Sequence, residues 1–217
     1  MHRLKRFPVT ILLASASVAA AAPSSRIGWT TDALNFVRNG DAEKGMAVAQ
    51  TCDACHGASP ENDPSSFPYL SGQLATYLFK QMQDYKNGSR ASQIMKGIMA
   101  NLSDQDIADV AAYYSRQPLP PTAAPLRFEN AEILVEHGDG KRILPPCAAC
   151  HGSSGQGERV DTPALAGQKA SYLEQTLLAY QSDARANDLY QRMRLIARQL
   201  SREEIQQLAR YYAGLGR

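Results

Sequence analysis

Cys52-Asp53-Ala54-Cys55-His56 and Cys147-Ala148-Ala149-Cys150-His151 decide how this chain is read. Each stretch sets two thiols three residues apart and places a histidine directly after the second. That order is what covalent attachment of a c-type haem requires: the thiols add to the two vinyl groups and the imidazole reaches the iron. The two stretches use all four cysteines of the chain. Two disulfides would also use four cysteines, but would leave the histidine after each pair unexplained. Zinc is disfavoured because 91 residues separate Cys55 from Cys147, far beyond the usual ribbon spacing of about 15–20.

Outward from the motifs, the sequence repeats itself. An offset of 95 residues carries Cys52, Cys55 and His56 to Cys147, Cys150 and His151. It also carries Pro68 to Pro163, Gly72-Gln73 to Gly167-Gln168, Tyr77-Leu78 to Tyr172-Leu173, Tyr85 to Tyr180 and Arg90 to Arg185. Three extra residues then move the offset to 98, where Ser103 meets Ser201 and Tyr113-Tyr114 meets Tyr211-Tyr212. The periodicity inside each copy is helical. A short helix is expected over Asp41 to Gln50, and Leu74, Leu78 and Met82 recur every fourth residue of another. Ser103 to Asp106 and Ser201 to Glu204 have capping-box spacing, with Asp in place of Glu in the first. Ile107, Val110, Ala111 and Tyr114, like Ile205, Leu208, Ala209 and Tyr212, form the apolar stripe of a final helix. The expectation is an all-α chain of two tandem domains, each a few short helices wrapped round a covalent haem. With roughly 90 residues per half, each core is limited, and the haem supplies an apolar centre.

The 217 residues allow one or two domains. Residues 1–22 hold Arg3, Lys5 and Arg6 and no acid, continue through Ile11-Leu12-Leu13, and end in Ala19 to Ala22. That is the order of a cleavable signal peptide, which places the mature protein in the periplasm. Pro8 and the shortness of the apolar run argue against a membrane span, which needs about 20 residues. Removing three basic residues from the chain's 23 leaves 20 against 21 acidic ones, about −1. Such a chain has no basic footprint for nucleic acid. The expected divisions are signal peptide 1–22, extension 23–40, first domain 41–116, Pro-rich linker 117–126 and second domain 127–217. The extension carries Trp29, the single tryptophan, and is expected to lie loosely on the first domain, with Leu34 and Phe36 as docking residues.

The ligand opposite the motif histidine largely decides haem chemistry. Four histidines exist, and His2 lies in the leader. Paired histidines at both irons are therefore excluded by counting, although His137 stays open at the second. The second half holds one methionine, Met193, eight residues before Ser201. Of Met46, Met82, Met95 and Met99, only Met95 stands eight residues before Ser103. Met82 falls opposite Leu177 and Met99 opposite Ala197, as packing residues do. Met95 and Met193 are accordingly the candidate sixth ligands. Each motif imidazole also needs an acceptor for its other ring nitrogen. Pro68 and Pro163 each follow their histidine by 12 residues and keep a carbonyl to offer.

These landmarks together resemble the dihaem cytochrome c4 family, two fused class I cytochrome c domains. The resemblance runs from Asp41 to the C-terminus. It rests on the paired haem motifs, on Phe67-Pro68-Tyr69-Leu70-Ser71-Gly72-Gln73 and Pro163-Ala164-Leu165-Ala166-Gly167-Gln168, and on Met95 with Leu102 through Ile107. It implies two covalently bound haem c groups, axial pairs His56 with Met95 and His151 with Met193, and imidazoles oriented by the carbonyls of Pro68 and Pro163. It also implies pseudo-twofold domains with haem propionates near their interface. The implied partners are redox proteins: a periplasmic dehydrogenase, a membrane-bound reductase or a terminal oxidase. Ala131 in the place of Gly45, the insertion from Gly138 to Pro146 and the Trp29 extension depart from the pattern, and the first is expected to loosen a helix crossing.

With histidine and methionine on both irons, no coordination position remains for a substrate, and no catalytic residue is assigned. The reading is an electron carrier moving one electron per haem, monomeric and at most loosely associated with a membrane. The alternative is the haem subunit or catalytic protein of a periplasmic dehydrogenase or peroxidase.

Overall fold

The computed structural model describes residues 24–57, 67–119, 127–158 and 160–216. The leader 1–22 and residues 120–126 of the linker lie outside the described residues. Among those described there is no strand; one isolated antiparallel bridge joins Asp139 to Leu144.

The first half contains α1 (Thr31–Arg38), α2 (Ala42–His56), α3 (Ala75–Asn87), α4 (Gln93–Met99) and α5 (Asp104–Ser115). Helix α2 runs past the expected end at Gln50 because the haem motif is itself helical. Cys52 and Cys55 thus fall at i and i+3, on one face. Asp41 caps it, its side chain accepting from the Glu43 and Lys44 amides. Helices α2 and α5 cross so closely that a Cβ on Gly45 would lie 2.0 Å from the Asp109 carbonyl oxygen. Ser103 and Asp106 form the expected capping box despite the shorter acid. Ile107, Val110, Ala111 and Tyr114 line the buried side of α5, with Leu78, Met82 and Met99 in the same core.

The extension is part of that core. Helix α1 is capped by Thr30 and packs on α3 and α5. Ile27 and Trp29 lie against the same cluster. Val37, 1% exposed, is its anchor. Of the two residues expected to dock, Phe36 is exposed and meets Phe79 edge-on at 5.9 Å, while Leu34 is half-buried. The expectation of a loose tail is corrected: Val37 shares the helix stripe that faces α5.

The second half contains α6 (Glu129–Glu136), α7 (Ala148–His151), α8 (Ala170–Gln181), α9 (Arg192–Ala197) and α10 (Arg202–Gly214). Helices α6 and α7 stand where the first half has one continuous α2. The insertion divides them, folding into a short 3-10 turn at Gly140–Arg142. Arg142 fastens it, donating to Asp139 at 2.8 Å and to both Glu204 oxygens at 3.0 and 2.8 Å. Ala131 is buried in the second core with Leu134, Ile205, Leu208 and Tyr212.

The halves meet across an interface that repeats the internal symmetry. Gln73 Nε2 donates to the Ala164 carbonyl and Gln73 Oε1 accepts from the Ala164 amide, both at 2.9 Å. Gln168 grips the carbonyl and amide of Tyr69 in the same way, again at 2.9 Å. Arg90 donates to the Tyr172 hydroxyl at 3.2 Å and Arg185 to the Tyr77 hydroxyl at 3.0 Å. Each guanidinium also lies 4.6 Å over a ring of its own domain, Tyr85 or Tyr180.

Candidate haem sites

Gly72 and Gly167 adopt left-handed φ values of +68 and +72, a region open to glycine at little steric cost. Their amides donate to the carbonyls of Tyr114 and Tyr212 at 2.9 Å. Each loop is thereby tied to the last helix of its domain, and the preceding proline faces the haem motif. The Pro68 carbonyl oxygen lies 2.8 Å from His56 Nδ1, and the Pro163 oxygen 2.8 Å from His151 Nδ1. A carbonyl only accepts, so Nδ1 carries the proton and Nε2 presents its lone pair. Burial pushes both imidazoles below their ordinary pKa, with the proline carbonyls partly opposing it. Neutral imidazole is the form that binds a metal.

Met95 and Met193 reach their places by different local routes. Ser92 caps α4 by accepting from the Met95 amide at 3.3 Å. Helix α9 follows a tight turn in which Tyr190 and Gln191 are left-handed. Both methionines line one continuous cavity of about 870 Å³ that also takes in Cys52, Cys55, His56, Cys147, Cys150 and His151. Met99 and Met82 are buried in the first core and also border this cavity, and Met46 is exposed. His137 is exposed and lies 3.8 Å from Glu136, and it does not line the cavity.

The residues fit haem. All four cysteines are free of disulfides. Burial raises the Cys52 thiol, and pushes that of Cys147 up to about 11. Among the described residues no group of three His, Cys, Asp or Glu side chains is placed to hold a bare metal ion. Arg185 Nη1 is buried without a hydrogen-bond partner at the cavity wall, a donor suited to a carboxylate such as a propionate. When bound, each haem supplies a one-electron ferric/ferrous couple.

The cytochrome c family profile matches residues 42–115 and 138–215. Cytochrome c4 of Pseudomonas aeruginosa is 40% identical over 179 residues, 81% of this chain and 89% of the relative. The chain belongs to the cytochrome c4 family. The structure of reduced recombinant cytochrome c4 from Pseudomonas stutzeri superposes with a TM-score of 0.75 at 35% identity, over 81% of this chain and 99% of that one. A thiosulfate dehydrogenase electron acceptor of Stutzerimonas stutzeri is 40% identical over 174 residues, 78% of this chain and 81% of the relative. As a cytochrome c4 the chain is a dihaem electron-transfer protein and not an enzyme. Its two Cys-x-x-Cys-His stretches fit two covalently bound haem c groups.

Motif reading did not single out Gln73, Gln168, Arg90, Arg185, Tyr77 or Tyr172 as interface residues. Their signal was present: they are polar residues that recur at the 95-residue offset, where a solvated loop or helix face has no reason to repeat.

Proposed function

We propose that His56 with Met95 and His151 with Met193 are the axial pairs of the two haems, in domains spanning 41–116 and 127–217. The observation that carries this reading is the common cavity: in each half a histidine with its Nδ1 satisfied lines the same space as the two thiols. Opposite it stands Met193 in the second half and, in the first, Met95, the half-buried one of three bordering methionines and the one that matches Met193 in the repeat. Pro68 and Pro163 orient the imidazoles. The soft thioethers favour ferrous iron and hold the potentials high, and two fixed ligands per iron limit rearrangement as charge changes.

The protein works in the periplasm, exported by its leader, as a monomeric carrier between redox proteins. Among the described residues no helix is long and apolar enough to cross a membrane. The likeness to thiosulfate dehydrogenase electron acceptors favours a periplasmic dehydrogenase as donor, with a membrane-bound reductase or terminal oxidase as the other class of partner. Docking is transient and small in area, as in other electron-transfer pairs.

Carbon monoxide binding to the freshly reduced protein tests the assignment. Closed His/Met irons bind it slowly or not at all; rapid stoichiometric binding at one haem would support the alternative, a catalytic haem subunit.

A further inference from the structure

The interface holds a second set of contacts that breaks the repeat. Lys80, Gln81 and Asp84 of α3 stand opposite Gln175, Thr176 and Ala179 of α8 at the 95-residue offset, none of them charged. Asp84 is 0% exposed. Its carboxylate accepts from Lys80 Nζ at 2.6 Å, Asn187 Nδ2 at 2.7 Å and Ser25 Oγ at 2.6 Å. Lys80, 2% exposed, also donates to the Asn187 carbonyl at 2.7 Å. Asn187, 1% exposed, donates again to Gln81 Oε1 at 3.0 Å and accepts from Arg185 Nε at 3.0 Å.

The origin of these residues is informative. Ser25 lies in the extension, outside the region matching the cytochrome c family. Asn187 lies just beyond Arg185, where the second half gains its three extra residues. The two ends of the network therefore come from segments without a counterpart in the other half. Packing of the extension through Ile27, Trp29 and Val37 fixes where Ser25 stands. Burying an ion pair is costly and is compensated only when its remaining lone pairs and protons find partners. Two domains already joined by the symmetric glutamine and arginine contacts do not need such a pair merely to touch. Lys80, Gln81, Arg185 and Asn187 also line the cavity shared by both haem sites, so this network stands between one haem pocket and the other.

We propose that Ser25, Lys80, Asp84 and Asn187 form an interdomain lock of positioning residues. Through it, the N-terminal extension fixes the geometry between the two haem domains and sets the rate of electron exchange between the haems. This rests on the two-haem reading above.

The test uses the holo-protein and its Ser25→Ala, Asn187→Ala and Ser25→Thr variants. Haem content is measured first, and a count below two would overturn the two-haem reading and the lock with it. Electron exchange between haems is then followed after rapid partial reduction, alongside hydrogen exchange of interface amides. The lock predicts slower interhaem exchange in both alanine variants, with amide exchange at the interface faster by about tenfold or more. It also predicts unchanged visible spectra and recovery in Ser25→Thr, which keeps the hydroxyl. An unchanged interhaem rate despite lost amide protection would reduce the network to simple packing and overturn the proposal, as would no change in either measurement.

Discussion

The Tyr114 hydroxyl donates to Asp53 Oδ1 at 2.6 Å, tying the last helix of the first domain to the middle of its haem motif. The same two places in the second domain hold Tyr212 and Ala148. The buried Tyr212 hydroxyl has no oxygen or nitrogen partner, only the weakly polar Cys147 thiol beside it. Asp53→Ala is expected to destabilise the first domain by about 1–2 kcal/mol. Ala148→Asp supplies the missing acceptor and is expected to raise the unfolding temperature of the second domain. Calorimetry of the holo-protein checks both directions.

Gln73 and Gln168 do the same work from opposite sides. Replacing either by alanine unmakes two hydrogen bonds to the facing backbone. Each change is expected to weaken docking between the domains by about 1–3 kcal/mol. Pseudo-twofold symmetry predicts that the two variants lose protection alike, which amide hydrogen exchange at the interface would show. A large effect from one and none from the other would mean that the symmetric contacts are unequal.

Arg142 gives the second domain an acid-sensitive fastening. Its hydrogen bonds, before any other influence, hold the Glu204 carboxyl below the ordinary value of 4.5. A carboxyl with a lowered folded pKa adds stability above its unfolded pKa and loses it as pH falls through the folded one. Stability should therefore decline as pH drops below about 4.5. Arg142→Ala should cost about 1 kcal/mol at neutral pH, after allowance for solvent screening, and should flatten that acid decline. Urea unfolding at a series of pH values measures it.

Ile143 is 90% exposed and left-handed, with φ at +56. That conformation costs an ordinary residue about 1–2 kcal/mol, and a β-branched one is out of place there. Ile143→Gly relieves this and gives back about 0.5–1 kcal/mol in backbone entropy. A small net gain in thermal stability is expected from a melting curve.

Much of this architecture was legible because it follows local rules. The caps at Ser103 and Ser201, the apolar stripes of the last helices, and the placing of Pro68 and Pro163 beside their histidines all follow from short spacings repeated twice. Comparing two copies inside one chain singles out Met95 over Met82 and Met99 as the proposed ligand, a choice that periodicity alone cannot make. What escaped were features set by long-range packing. The left-handed Ile143 is held by Arg142 reaching across to Glu204, and no turn motif announces it. Val37 outranks Phe36 because helix phase against α5 decides burial, and residue size does not. The buried Lys80–Asp84 pair reads in sequence as an ordinary solvated i,i+4 pair; Ser25 arriving from the extension and Asn187 from the other domain help take it out of water.

The most direct measurement is the long-wavelength sulfur-to-iron absorption band of the ferric protein, quantified per haem in the wild type and in Met95→Ala and Met193→Ala. Two His/Met irons predict a band equivalent to two sites, halved in each variant, with the altered haem at lower potential and open to external ligands. A variant that leaves the band intact, or a high-spin, water-ligated iron in the resting wild type, would contradict the account.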